Sequence, residues 1–244
     1  YDINMNIDYN RFEVDFKDGS VILAGCGPGN IQLITLKVFS VLKQADVIIY
    51  DALVNKSLLK ICKKNAKLIF AGKLKNKKAC SQNDINKWLV SYAKKRLKVL
   101  RLKSGDPSFF SRGSEEITSL KKNKIDFRVF SGITASQPSI KDVNGSFFNE
   151  SGFCNFITGH KRINNPNQDI DYKSIAKNKG KIIIYMGISQ IVDISKNLID
   201  SGIDQNRKVS IIYNASLPSQ RIFFSKLHNA PEIIKKKQSF STCN

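Results

Sequence analysis

The 244 residues carry 40 Lys and Arg against 20 Asp and Glu, a formal net charge of +20. Apolar residues make up 41%, enough for a core in one large or two small domains, and no apolar run approaches the ~20 residues that span a bilayer. Five cysteines and two histidines show no CxxC and no even framework; they argue against a metal site and suit a reducing, cytoplasmic setting.

The charge invites a nucleic-acid reading. The basic residues, however, are scattered as KNKK (75–78), KKR (94–96), KKNK (121–124) and KKK (235–237), the pattern of solvated helix faces and ends in a chain rich in Lys, Asn and Ile. Nucleic acid is therefore not the expected partner, while an anionic small substrate suits the charge.

Residues 1–19 are polar and acidic and read as an extension rather than a signal or transit peptide. SVILA (20–24) predicts a buried strand, GCGPG a sharp turn, and IQLITLKVFSVLKQ (31–44) a helix. ADVIIYD predicts a second strand ending at Asp51, SLLKICKK a short helix, and AKLIFAG a third strand. NDINKWLVSYAKK predicts a helix, RLKVLRLK a fourth strand, EEITSLKKNK a helix and FRVF a fifth strand. Short strands alternating with helices mean an α/β domain with a mainly parallel sheet. SGITAS (131–136) marks a boundary, giving domains at 20–131 and 132–244. Beyond it, ASQPSIKDV is a helix weakened by Pro138, FCNFITGH, KIIIYMG, KVSIIYN and QRIFFSKL are strand-like, and SQIVDISKNLIDSG is a helix stopped at Gly202. This is a second α/β domain with a mixed sheet. With no low-complexity linker, the two domains are expected to pack closely around a cleft.

Two loops carry chemistry. Gly25-Cys26-Gly27-Pro28-Gly29 sits where a nucleotide fingerprint would, but the last glycine of GxGxxG is Asn30, and Pro28 removes a donor that a phosphate cradle needs. It reads either as a turn against a ligand without phosphates or as a tight turn with no ligand. Ser104-Gly105-Asp106-Pro107 lies at a carboxyl end of the sheet, where open α/β folds bind ligands. Asp106 there either holds a ribose hydroxyl or a cation, or caps a helix.

Taken together, GCGPGNIQLITLKV, QADVIIYDALV, AGKL followed by QNDIN, RLKSGDPSFFSRGSEE, SGITAS, TGH, YMGISQ and NASLPSQR resemble the uroporphyrinogen-III C-methyltransferases. The order and approximate spacing of the family's motifs are kept from residue 21 to about 227. The resemblance implies two α/β domains of the tetrapyrrole methyltransferase fold, S-adenosylmethionine as methyl donor with S-adenosylhomocysteine as product, and a homodimer. It implies two methylations of uroporphyrinogen III to precorrin-2, feeding cobalamin or sirohaem synthesis. By position it implies cofactor contacts at Pro28, Ser104, Gly105, Asp106, Phe109, Thr134, Ala135, Met186 and Ala215. Asp51 would be the proton acceptor, Lys73 the proton donor, and Arg112 a contact for substrate carboxylates. Without the resemblance, Lys73 reads as a solvated lysine and Met186 as core, and His160 is given no catalytic role.

The chain departs from the family at 142–150, where DVNGSFFNE lacks the family's His and Arg, and at its end, where the closing apolar strand is missing. Other readings are a different precorrin methyltransferase, a ribosomal-RNA methyltransferase of the same fold, or a non-enzymatic RNA-binding protein, for which no aromatic-basic segment exists.

Overall fold

A computed structural model describes residues 12–72, 80–143, 145–147, 152–159 and 170–238. The chain forms two compact units, and the division after Ala135 falls within SGITAS. In the first, β1 (Val21–Gly25), β2 (Val47–Tyr50), β3 (Lys67–Phe70), β4 (Val99–Lys103) and β5 (Phe127–Phe130) make one parallel sheet in the order β3-β2-β4-β1-β5. Side chains alternate between its faces. Ile22, Ala24, Ile48, Leu100 and Leu102 meet α1 (Leu36–Gln44) and the 3-10 turn at 56–61. Val21, Leu23, Val47, Ile49 and Val99 meet α2 (Gln82–Lys94), while Leu120 joins the same core from α3 (Gly113–Lys122).

Local chemistry sets the helix ends. Ser81 and Asp84 form a reciprocal capping box that starts α2. The helix expected over 31–44 is split. Residues 31–33 are a 3-10 turn, and α1 begins only after Thr35, which is extended and whose Oγ1 accepts from Val38 N at 3.3 Å. The short helix expected at SLLKICKK is likewise a 3-10 turn.

In the second unit, β6 (Cys154–Thr158) and β7 (Lys181–Tyr185) are parallel, and β8 (Lys208–Tyr213) and β9 (Arg221–Lys226) are an antiparallel pair. Among the described residues these are two separate sheets rather than the one mixed sheet expected. The helices are α4 (Ser136–Asp142), α5 (Tyr172–Lys177), α6 (Ile191–Asp200) and α7 (Ala230–Gln238); α5 has no counterpart among the expected elements, and α7 contains the KKK run that reads as a helix face or end. Pro138 is accommodated because it lies in the first turn of α4, where backbone N–H groups have no intrahelical partner. Gly202, at φ +99°, follows α6 as expected. Ile157, Ile175, Ile194, Leu198, Ile203 and Leu227 form one core, and Ile211, Ala230 and Ile234 a smaller one. No helix among the described residues is long and apolar enough to cross a membrane.

The connections from β1 and β4 leave toward opposite faces of the first sheet, into α1 and α3. That arrangement opens a crevice between their carboxyl ends. Three backbone segments meet there. Cys26 N donates to Lys103 O at 2.8 Å, Gly27 N to Gly105 O at 3.2 Å and Gly105 N to Gly27 O at 2.7 Å. A Cβ on Gly132 would stand 2.3 Å from Gly105 O and 2.5 Å from Gly25 O. These atoms are backbone and cannot swing aside. Gly132→Ala is therefore expected to lower stability in urea by about 1–3 kcal/mol, as overpacking does; an unchanged unfolding midpoint would contradict the close approach of the three segments.

Candidate active site

Alternation along β4 turns Arg101 and Lys103 to the same face as Val99, beneath α2 and α3. Both side chains are almost wholly buried, and Glu116 of α3 is 0% exposed. Glu116 Oε1 accepts from Arg101 Nε at 2.9 Å, from Lys103 Nζ at 3.1 Å and from Gln82 Nε2 at 3.4 Å. Arg101 Nη1 donates to the carbonyls of Ile49 and Leu102, and Nη2 donates to Asp51 Oδ1 at 2.5 Å. Asp51 Oδ2 lies 4.0 Å from Lys103 Nζ, and the Asp51 side chain is 32% exposed. The result is two cations and two carboxylates in one group, with Oδ1 of Asp51 held by Arg101, Oδ2 at the 4.0 Å distance from Lys103, and the Asp51 side chain alone partly exposed.

Titration follows from these contacts. Burial, then repulsion from Arg101, depresses the Lys103 pKa, and Glu116 and Asp51 offset this only in part. Burial also disfavours the Arg101 charge, but Glu116 and Asp51 outweigh it and raise its pKa. Burial pushes the Cys26 thiol up to about 12, so Cys26 is a small apolar residue of the turn and no nucleophile.

Beside this group, a Cβ on Gly105 (φ +68°) would find no atom within 4 Å. The backbone therefore faces open space at the end of β4, where a ligand can approach closely. The turn donors Cys26 N and Gly27 N are already bonded across to β4 and its loop, and Pro28 has none. The junction is thus ill suited to phosphate and well suited to a neutral or cationic group. Asp106 is a staple of the junction: Oδ2 accepts from Gly132 N at 2.9 Å, and Oδ1 accepts from the backbone N (2.7 Å) and the hydroxyl of Ser108. It does not cap α3, whose N-cap is Arg112.

Backbone strain marks the same loops. Among the described residues, eight non-glycine residues have positive φ. Arg96, Lys124 and Lys179 directly follow the C-caps of α2, α3 and α5, an ordinary place for that conformation. The other five are Phe110 (+46°), Arg112 (+57°), Met186 (+53°), Asn214 (+50°) and Ser216 (+69°). Such residues cost on the order of 1–3 kcal/mol each and cluster at ligand sites. All five lie in, or flank, the segments singled out from sequence.

Pro28, Ser104, Gly105, Asp106 and Phe109 line the junction loops, with Phe109 N donating to Asp106 O at 3.1 Å. Thr134, 6% exposed, and Ala135 follow Gly132. Asp51 N donates to Leu102 O at 3.3 Å, one strand over from the Ser104 loop. Arg112 is exposed and forms a two-pronged pair with Glu115, at 2.8 Å for each prong. In the second unit Met186 follows β7 and is 46% exposed rather than core. Its carbonyl lies against Gly159, where a Cβ would come within 2.7 Å. Ala215 sits between the two strained residues after β8. Helix α4 ties both loops: Ser136 Oγ accepts from Tyr185 OH at 2.7 Å, and Asp142 Oδ2 accepts from Gln220 Nε2 at 2.9 Å. Lys73 and His160 lie outside the described residues. Sequence reading missed Arg101, Lys103, Glu116 and Gln82. The available signal was a pair of cations two residues apart on one face of an otherwise apolar strand.

Comparison with known proteins agrees with this geometry. A family model described as Tetrapyrrole (Corrin/Porphyrin) Methylases matches residues 20–231. The uroporphyrinogen-III C-methyltransferase of Methanocaldococcus jannaschii is 37% identical over 224 residues, covering 91% of this chain and 92% of that protein. The siroheme synthase of Nitrosomonas europaea is 34% identical over 223 residues, covering 91% of this chain and 46% of that protein; the chain spans about half the length of the siroheme synthases it matches. Among solved structures, the uroporphyrin-III C-methyl transferase of Thermus thermophilus complexed with S-adenyl homocysteine is 26% identical, with a TM-score of 0.72 over 88% of this chain and 86% of that one. A cobalt precorrin-4 methyltransferase, 19% identical with a TM-score of 0.79 over 90% of each chain, shares the fold. A family match that begins one residue before β1 and runs into α7 takes in both units and every loop described above, and the chain belongs to the tetrapyrrole (corrin/porphyrin) methylases.

Proposed function

We propose that the protein transfers methyl groups from S-adenosylmethionine to two carbons of uroporphyrinogen III, giving precorrin-2 for sirohaem or cobalamin synthesis. The observation that carries this reading is the held carboxylate of Asp51, beside an open glycine backbone, in a chain that matches a uroporphyrinogen-III C-methyltransferase nearly end to end.

The residues present fit the cofactor. The open side of Gly105 offers a cradle, and a junction with its donors already bonded suits a sulfonium better than a phosphate. In the first unit Pro28, Ser104, Gly105, Asp106, Phe109, Thr134 and Ala135 are the positions that would hold it; the assignment of Met186 and Ala215 as contacts rests on the family resemblance. When bound, the cofactor supplies an electrophilic methyl group.

The chain's own task is positioning and proton transfer. When a pyrrole carbon gains a methyl group the ring system becomes cationic, and a proton must leave that system from another position to restore neutrality. Asp51 Oδ1 is committed to Arg101, so Oδ2 is the atom that receives this proton. Arg112 meets a substrate carboxylate by exchanging it for Glu115, the kind of planar two-pronged partner a guanidinium prefers. The resemblance assigns the proton-donor role to Lys73. It also supports a homodimer, while the cysteine pattern supports a reducing cytoplasm, where the described cysteines, all free, would persist as thiols.

Two measurements test this reading. Asp51→Asn keeps shape and removes the base; turnover is expected to fall about a hundredfold to ten-thousandfold, with S-adenosylmethionine affinity by calorimetry unchanged. A fully active variant, or wild-type protein that gives no binding heat at millimolar cofactor, would contradict it. Light scattering at micromolar concentration is expected to give twice the 27.5 kDa chain mass, and a monomer mass would remove the dimer.

A further inference from the structure

Glu116 is the least accessible member of the charged group, and it touches neither the open end of the sheet nor the junction loops. Its Oε1 collects three donors, from β4 and α2, while Oε2 is buried with no hydrogen-bond partner among the described residues. A carboxylate placed only to neutralise Arg101 would take two of its nitrogens side by side. Here Glu116 takes Nε alone. The two backbone carbonyls take Nη1, and Nη2 is left aimed at Asp51. The guanidinium is planar, so fixing Nε and Nη1 fixes the direction of Nη2. Lys103 is held by the same Glu116 oxygen and stays 4.0 Å from Asp51 instead of closing on it.

We propose that Glu116 is a positioning residue of the reaction: by anchoring Arg101 and Lys103 it holds Asp51 with Oδ1 bound and Oδ2 open to the substrate. This rests on Asp51 being the base. Without the Glu116 charge, Asp51 is the one carboxylate among the described residues left to neutralise both cations, and both its oxygens are drawn into pairing.

Among the described residues, the other titratable groups that interact with Asp51 or Arg101 are Cys26, from the first turn, and Cys80, just before α2, which also faces Asp84. The Cys26 thiol, pushed up to about 12, stays neutral through the working pH range.

The experiment compares wild type, Glu116→Gln, the charge-balanced Glu116→Gln/Lys103→Met, Arg101→Lys and Asp51→Asn in the full chain. It reads the melting temperature, cofactor affinity, kcat and KM for uroporphyrinogen III, and the pH–rate profile. Glu116→Gln is expected to lower kcat at least about tenfold, as a misplaced catalytic group does, with cofactor affinity unchanged. The shape of its acid limb is expected to change as well as the height of the profile, because the charged group is no longer held in one arrangement. A merely structural role would lower active protein equally at every pH and leave the limb in place. Arg101→Lys keeps the charge but loses the planar fork, and is expected to lose kcat likewise. Should Glu116→Gln not fold, the balanced double variant carries the test, and it is expected to fold with kcat still reduced. Wild-type kcat and acid limb in a folded Glu116 variant, alongside an inactive Asp51→Asn, would overturn the positioning role and leave the base assignment standing. A fully active Asp51→Asn would overturn both.

Discussion

The first unit is organised around a salt-bridged group where a parallel sheet ordinarily has only apolar side chains. Arg101 and Lys103 enter the helix-covered face of β4 and are met by Glu116 from α3 and Asp51 from the end of β2. Taking such groups out of water is costly, and removing one partner of a buried pair typically costs about 3–5 kcal/mol because the other is left unpaired. The group therefore constrains its surroundings. It sets the register of α3 against β4, it ties β2 to β4 beyond their backbone ladder, and it fixes the one member that reaches solvent. A hydrophobic set of similar volume would serve stability at least as well. What the charges add is a carboxylate of defined direction at the carboxyl end of the sheet.

The glycine junction adds the second constraint. The turns after β1, β4 and β5 approach so closely that Gly25 and Gly132 have no room for a Cβ, while Gly105 turns its bare side to open space. One chemical feature, the lack of a side chain, thus serves close packing at two positions and access at the third. Three backbone donors of the turns, Cys26 N, Gly27 N and Gly105 N, are consumed in holding the junction together. The loops that carry Phe110 and Arg112, and in the second unit Met186 and the residues around Ala215, hold their strained backbones through hydrogen bonds and close packing, such as Gln220 with Ser216 and Gly159 with Met186.

Much of this was legible in the sequence because it rests on local rules. Buried strands of the first unit announce themselves as short apolar runs, and the glycine and proline punctuation after β1 and β4 marks the loops that matter. The capping residue Thr35 is equally visible, yet the apolar periodicity runs across it and merges a 3-10 turn with α1. The charged group was not legible, for a physical reason. Arg101 and Lys103 look like solvated residues flanking an apolar strand, and only the cover of α2 and α3, a tertiary fact, turns them inward. Glu116 likewise reads as one of two acidic residues suited to a helix N-terminus, and its neighbour Glu115 does face solvent. In the second unit the strands were found, but their division into a parallel pair and an antiparallel pair depends on pairing across long separations, which strand propensity does not encode.

The proposed methyl transfer to a tetrapyrrole carbon is what gives the held carboxylate and the open glycine backbone a common purpose. Mass spectrometry of uroporphyrinogen III after incubation with the protein and S-adenosylmethionine, followed by the absorbance of a dipyrrocorphin, tests it most directly. The expected product is heavier by two CH2 units, two methyl groups gained and two protons lost, with two molecules of S-adenosylhomocysteine released for each. Folded protein that binds the cofactor yet leaves uroporphyrinogen III unmethylated would contradict it.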